Sequence, residues 1–269
     1  MREPTKRERR RLISWLALVA KILIVPTAGV FGAMAFHYGR SSLDLGSDFR
    51  LAVIEYEGAQ NFNTEAFNTL LLRTFGRDLL TLDPDRVRAL VESDTWVRHA
   101  LVRRRLPDRL RIHVTERIPL AVAAIDSDLY VVDDDGVILD KYGPRYGHLD
   151  GPIVKGLRNP ARENAAADNA RRIRLYFRLV EDLAAQPRDY TAAVSEVDVT
   201  DPSRVAVVPS DEPVAVYLGD EAFRERYETF LSQKDLYLRL KQKYGLIEYV
   251  DVTYDNKIIF HTPNHMVTG

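Results

Sequence analysis

The chain has 269 residues, 46% of them hydrophobic and 29% charged, with a formal net charge of −1. That leaves room for one or two domains with real cores, in the ordinary balance of a folded protein. The near-zero charge argues against nucleic acid as the main ligand, and the lack of any cysteine excludes disulfides, thiol catalysis, cysteine-bound zinc and a lipoprotein anchor.

Basic residues crowd the start, where Arg2, Lys6, Arg7, Arg9, Arg10 and Arg11 face only Glu3 and Glu8. An apolar run from Leu12 to Tyr38 follows, longer than the roughly 20 residues that cross a hydrocarbon layer. On its far side Arg40, Asp44, Asp48 and Arg50 roughly cancel. The positive-inside rule therefore predicts residues 1–11 as a cytoplasmic tail, 12–38 as a single transmembrane helix and everything beyond as external. Lys21 and Pro26 interrupt the span. A lysine near the bilayer centre costs about 2.5 to 3.5 kcal/mol. Lys21 therefore either snorkels toward the basic side, shortening the core to Ile22–Tyr38, or contacts a partner helix. Pro26 kinks the helix or is tolerated where neighbouring helices supply bonds. The rival is a cleaved leader, because Ile22–Gly32 has the length of a signal-peptide core and Ala33-Met34-Ala35 fits a cleavage site. The run from Leu12 through Phe36 exceeds the usual core of about 7 to 15 residues, which favours retention.

Residues 39–49 read as a linker. Arg50–Glu57 reads as a strand ended by Gly58. Asn63 is placed to cap a helix from Thr64 to Thr74, with Phe67, Leu70, Leu71 and Phe75 on one face and Gly76 as terminator. Asp83 caps a second helix that opens on Pro84 and turns Val87, Leu90 and Val91 inward. Val97–Arg105 and Leu110–Glu116 have strand character, and Leu106-Pro107-Asp108 between them is turn chemistry, so the two form a hairpin. Arg109, Arg111 and His113 share its uncovered face, either as a solvated row or as a surface for an acidic partner. Residues 50–118 thus make a β-α-α-β-β unit, with two amphipathic helices covering one sheet face.

From Leu120 the texture changes to short strands and turns. Leu129–Asp133 and Val137–Leu139 flank Asp134-Asp135-Gly136. The three aspartates raise a cation site, but the spaced oxygen ligands of a calcium loop do not follow, and a turn is the better reading. Asn159–Gln186 reads as a helix stopped by Pro187, and Glu221–Lys243 as a second, presenting Phe223, Tyr227, Phe230, Leu231 and Leu238. Between them lie short strands at 193–199, 204–208 and 214–218. Tyr249–Val252 and Lys257–Thr262 close the domain, 119–262, as a hairpin. Residues 263–269 lack periodicity and read as a mobile tail. The fold class is α+β: a transmembrane helix, the β-α-α-β-β domain and a mixed β-rich domain with two helices.

The layout resembles a known family. Trp96-Val97, Ala100, Val102, Arg104, Pro107, Leu110, Ile112, Val114, Glu116, Pro119 and Ala121 stand as in the POTRA domain of the FtsQ/DivIB family of bacterial cell-division proteins. Thr95 stands where that family usually has proline. Val132, Asp133 and Gly136, the Leu149–Gly156 stretch, and the closing Val250, Asp251, Tyr254 and Asp255 follow the family's second, β-rich domain. Near the end Thr253, Lys257 and Thr262 replace an arginine, a glycine and an aromatic common in relatives.

No Gly-rich phosphate loop, Gly-x-Ser-x-Gly elbow or His-Glu-x-x-His motif is present, and His261 and His265 straddle Pro263 without helical spacing. No catalytic residue, metal ligand, cofactor or small-molecule substrate is assigned. The useful surfaces are then sheet edges, where unpaired backbone groups accept a guest strand. Lys257–Thr262 is the expected edge. The resemblance implies that the coiled-coil partner FtsB, acting with FtsL, docks in this region. Carried over by position, that gives Tyr254, Lys257, Ile258, Ile259 and Phe260, although alternation puts Ile258 and Phe260 on one face and Lys257, Ile259 and His261 on the other and buries at least one set. The implied protein is a non-enzymatic, single-pass inner-membrane scaffold at the division septum. A POTRA-bearing chaperone for protein insertion or secretion, and an anchored envelope hydrolase, are the alternatives.

Overall fold

The computed structural model describes residues 32–34, 49–254, 257–263 and 266–268. The predicted basic tail, Lys21, Pro26 and nearly all of the anchor and linker lie outside the described residues. Among the described residues no helix is long and apolar enough to cross a membrane. The chain divides into two compact units: the first takes Met1–Glu57, Asn63–Arg88 and Leu101–His113, and the second takes Gly58–Phe62, Ala89–Ala100 and Val114–Gly269.

Strand β1 (Val53–Glu57), helices α1 (Thr64–Phe75) and α2 (Pro84–Val91), and strands β2 (Val97–Arg105) and β3 (Arg109–Glu116) follow the expected order. The sheet runs β1-β3-β2, with β1 parallel to β3. Asn63 caps α1 by accepting from Ala66 N at 3.0 Å, and Gly76 ends it at φ 73°. Leu110 and Ile112 of β3, Phe67 and Leu71 of α1, and Val87 of α2 are buried, as the strand and helix periods require. On the uncovered face Glu55 meets Arg109 at 2.7 Å and Arg111 at 3.2 Å, and Glu57 meets Arg111 and His113 at 3.4 and 3.5 Å. Hydrogen bonds from Arg109 and then Arg111 hold the Glu55 carboxyl below its ordinary range. The cationic row is matched from within by β1, which favours the solvated-row reading.

In the second unit the Glu116 carboxylate gathers a loop. It accepts from Gln60 N, Asn61 N and Phe62 N at 2.6, 2.7 and 2.8 Å and from Asn61 Nδ2 at 2.9 Å. Burial alone would raise its pKa, but these donors outweigh that and hold it below the ordinary 4.5. A depressed folded pKa means the contribution is complete above the unfolded value and is lost as pH falls through the folded one. Glu116→Gln is therefore expected to destabilise at neutral pH by about 1 to 2 kcal/mol, since several of these donors are open to water. The difference from the parent should shrink below roughly pH 4, which denaturation midpoints across a pH series would check.

The rest of this unit is a mixed ten-stranded sheet, ordered β13-β12-β11-β10-β9-β8-β7-β4-β5-β6. Its strands are β4 (Ala121–Ile125), β5 (Asp128–Val132), β6 (Ile138–Lys141), β7 (Ile153–Lys155), β8 (Val194–Asp198), β9 (Val205–Pro209), β10 (Ala215–Gly219), β11 (Tyr249–Tyr254), β12 (Lys257–His261) and β13 (Met266–Thr268). Helices α3 (Ala165–Ala184), α4 (Phe223–Ser232) and α5 (Lys234–Tyr244) bury Ile173, Leu179, Phe223, Tyr227, Phe230 and Tyr237 in one core with Val197, Val207, Val216, Val250 and Phe260 of the strands.

Three expectations change here. The predicted helix 221–243 is two helices, so the unit has three. Gln233 leaves the helical region (φ −102°, ψ 12°) and its N–H turns to the Phe230 and Leu231 carbonyls. The helix predicted from Asn159 starts at Ala165, because Asn159 instead holds a turn, its carbonyl accepting from Arg162 N and its side chain from Ala161 N. Finally, the predicted mobile tail contains β13, antiparallel to β12.

Candidate protein interface

Alternation sorts the last strands onto two faces. Val250 and Val252 of β11 and Ile258 and Phe260 of β12 enter the core beneath the helices. Tyr249, Asp251, Ile259 and His261 turn to the other face, beside Tyr217 of β10. There Tyr217 meets Tyr249 edge-on at 5.3 Å, and Tyr249 stacks on His261 at 4.5 Å with an 11° tilt. The Arg204 guanidinium sits 3.8 Å from the Tyr217 ring centroid and 5.3 Å from that of Tyr249, and reaches Asp251 at 3.5 Å. Glu248 meets His261 Nδ1 at 2.9 Å. The arrangement is an amphipathic aromatic row on an uncovered sheet face.

The sequence-predicted residues separate on this frame. Tyr254 is 56% exposed at the end of β11 and pairs with exposed Lys257. Ile259 is half-buried on the uncovered face. Ile258 and Phe260 are core residues whose side chains no partner can reach. The predicted edge also needs correction. β12 pairs with β11 on one flank and β13 on the other, with Ile259, Phe260 and His261 opposite Thr268, Val267 and Met266. A guest strand cannot join β12 at those residues without displacing β13. Lys257 and Ile258 lie beyond that register. Sequence reasoning placed His261 on the face of Lys257 and Ile259, as found, but did not single out Tyr217, Tyr249 or Arg204. The alternate placing of Tyr249 and Asp251 opposite Val250 and Val252 was the available signal.

The aspartate cluster is a structural turn. The carboxylates of Asp133, Asp134 and Asp135 lie within 4.8 Å of one another, and two guanidiniums enter among them. Arg117 reaches Asp133 at 2.5 Å and Asp135 at 3.0 Å; Arg98 reaches Asp134 at 3.0 Å and Asp135 at 3.2 Å. Asp133, fully buried, also accepts from Asp135 N and Val137 N at 3.0 and 2.8 Å. Gly136 closes the turn at φ 77°, where an added Cβ would come 2.8 Å from the Asn169 backbone.

Comparison with known proteins follows the same division of the sequence. Residues 49–117 match the family model of the FtsQ-type POTRA domain, and residues 121–253 match that of the FtsQ/DivIB C-terminal domain. Cell division protein FtsQ of Koribacter versatilis is 28% identical over 97% of this chain and 73% of its own length. That of Syntrophotalea carbinolica is 26% identical over 93% and 88%, and that of Myxococcus fulvus 32% over 64% and 60%. The solved extracytoplasmic domain of the cell division protein DivIB from Geobacillus stearothermophilus aligns over 46% of this chain and 97% of its own, at 18% identity and a TM-score of 0.27.

Proposed function

The chain belongs to the FtsQ/DivIB family of cell division proteins, and we propose that it is a non-enzymatic, single-pass inner-membrane scaffold of the divisome. In this reading residues 1–11 lie in the cytoplasm and 12–38 anchor the protein. The domains at 50–118 and 119–262 stand outside the membrane at the septum, where they recruit FtsB- and FtsL-type partners. The observation that carries the reading is the pairing, in one chain, of both family domains behind a basic, then apolar, N-terminal sequence.

The docking place we assign is the C-terminal end of the ten-stranded sheet, around Tyr254, Lys257 and Ile259. A partner segment in extended form would pair along β12 in place of β13, and Tyr254 would cover its side. Such strand addition draws affinity from backbone bonds and specificity from alternate side chains. Arginine pairing of the aspartate turn supports a structural use of its carboxylates over a catalytic one.

Depletion in cells tests the reading. Filaments with blocked septa are expected, with FtsB- and FtsL-type proteins copurifying from detergent-solubilised membranes. Loss of outer-membrane proteins without filamentation would favour the chaperone alternative. Altered wall turnover, with activity of the pure protein on peptidoglycan, would favour the hydrolase.

A further inference from the structure

One end of the first unit gathers cations with few matching carboxylates, and it is the end where the chain enters. Leu51 N donates to the Arg77 carbonyl at 2.7 Å, Leu79 N to the Phe49 carbonyl at 3.0 Å and Ala52 N to the Asp108 carbonyl at 2.9 Å. These bonds set the entry segment, the α1–α2 loop and the tip of the β2–β3 hairpin side by side. Arg50 bridges to Asp78 through the backbone, and Arg104 Nη1 donates to the Leu79 and Leu80 carbonyls at 3.3 and 2.8 Å. Arg50, Arg77, Arg103 and Arg105 are all exposed. Among the described residues neither Arg103 nor Arg105 has an ion-pair partner, although by alternation they share the face on which Arg109 and Arg111 are held by Glu55. Leu80, in the α1–α2 loop, and Leu106, at the hairpin tip, are 47% and 61% exposed at this end.

Arginines alone would make a solvated surface. Two exposed leucines among them add an apolar component that water does not favour. The patch also lies where residues 39–48 arrive from the apolar run Leu12–Tyr38, a ten-residue link that spans at most about 35 Å. Guanidiniums pair with phosphate, and leucines enter the boundary between headgroups and acyl chains. An acidic polypeptide would meet the arginines but leave the leucines unaccounted for. We propose that this end of the first unit docks, through Arg50, Arg77, Arg103, Arg105, Leu80 and Leu106, on the anionic phospholipid headgroups of the membrane that holds residues 12–38. The proposal rests on the anchored reading given above.

The chain has no cysteine, so Leu106→Cys gives the full-length protein a single site for an environment-sensitive fluorophore. The labelled protein is placed in nanodiscs of phosphatidylcholine alone or with phosphatidylglycerol, each carrying headgroup spin-labelled lipid as quencher. Quenching is expected to be strong only with phosphatidylglycerol. The contact should weaken about fivefold for each of Arg103→Gln and Arg105→Gln and fall with added salt. A label at Glu65→Cys, at the opposite end of α1 and about 18 Å away along the helix, should stay unquenched. Equal quenching in both lipids, or quenching indifferent to the arginine substitutions, would overturn the proposal. So would burial of the label by a poly-glutamate peptide but not by phosphatidylglycerol, which would assign the patch to an acidic polypeptide. Release of the protein from the nanodisc by salt overturns the anchored reading itself; retention without lipid-dependent quenching overturns only the lipid contact.

Discussion

Arg117→Ala is expected to destabilise the second unit by about 3 to 5 kcal/mol, the range found when one partner of a buried ion pair is removed. The Asp133 carboxylate is fully buried, and the Arg117 side chain beside it is 17% exposed. Without the guanidinium, two backbone N–H groups would remain to hold a full negative charge away from water. The neighbouring pairs of Arg98 with Asp134 and Asp135 involve side chains 35 to 46% exposed, and exposed pairs are worth about 0 to 1 kcal/mol, so Arg98→Ala should cost far less. Asp133→Asn separates charge from shape, since its carbonyl can still accept from Asp135 and Val137 while the charge is gone. In the Arg117→Ala background it should restore part of the loss. Trp96, whose carbonyl accepts from Arg117 N at 2.8 Å, is a local fluorescence reporter for the denaturation curves. A loss below about 1 kcal/mol for Arg117→Ala would place this pair among ordinary surface contacts.

The contrast between that pair and the strand edges says what the chain discloses on reading. Period and capping chemistry are local, so the β-α-α-β-β order, Asn63 as cap, Gly76 as stop and the Leu106-Pro107-Asp108 turn were legible. The aspartate run was legible as a turn, but the residues that neutralise it were not. Arg98 comes from β2, 36 residues before Asp134, and Arg117 from just past the end of β3, 16 residues before Asp133, and only tertiary pairing brings them there. The break at Gln233 was hidden because the apolar rhythm of Tyr227, Phe230, Tyr237 and Leu240 runs through it unbroken. β4 escaped because Ala121, Val122, Ala123 and Ile125 are all buried, so the alternation that marks a half-exposed strand is missing. β13 escaped because three residues are too few to display any period, yet those three decide which strand is the edge. Of the five predicted contact residues, parity correctly warned that one alternating set would be spent on the core; only the helices' position determines that it is Ile258 and Phe260.

Removing residues 264–269 is expected to strengthen binding of an FtsB-type segment about twofold, and Tyr254→Ala to weaken it about thirtyfold, the latter corresponding to the 2 kcal/mol typical of a central aromatic. The truncation argument is one of competing ladders. β13 offers backbone hydrogen bonds worth about 1 kcal/mol each, against about 1 to 2 kcal/mol for ordering each of its three residues. Val267 adds only a partly buried side chain to the core. The balance is near zero, so a longer guest strand could displace it, and deleting it spares the guest that step. The core should be untouched, because Ile258 and Phe260 are already held by β11 and the helices. Tyr254, more than half exposed, should likewise be replaceable without loss of fold. Calorimetric titration of the partner segment into the full-length protein and both variants reads each effect directly. Should truncation abolish binding, β13 is itself the strand to which the guest adds. Should neither change alter affinity, this end of the sheet is not the docking place, and the aromatic row of Tyr217, Tyr249 and His261 becomes the next surface to substitute.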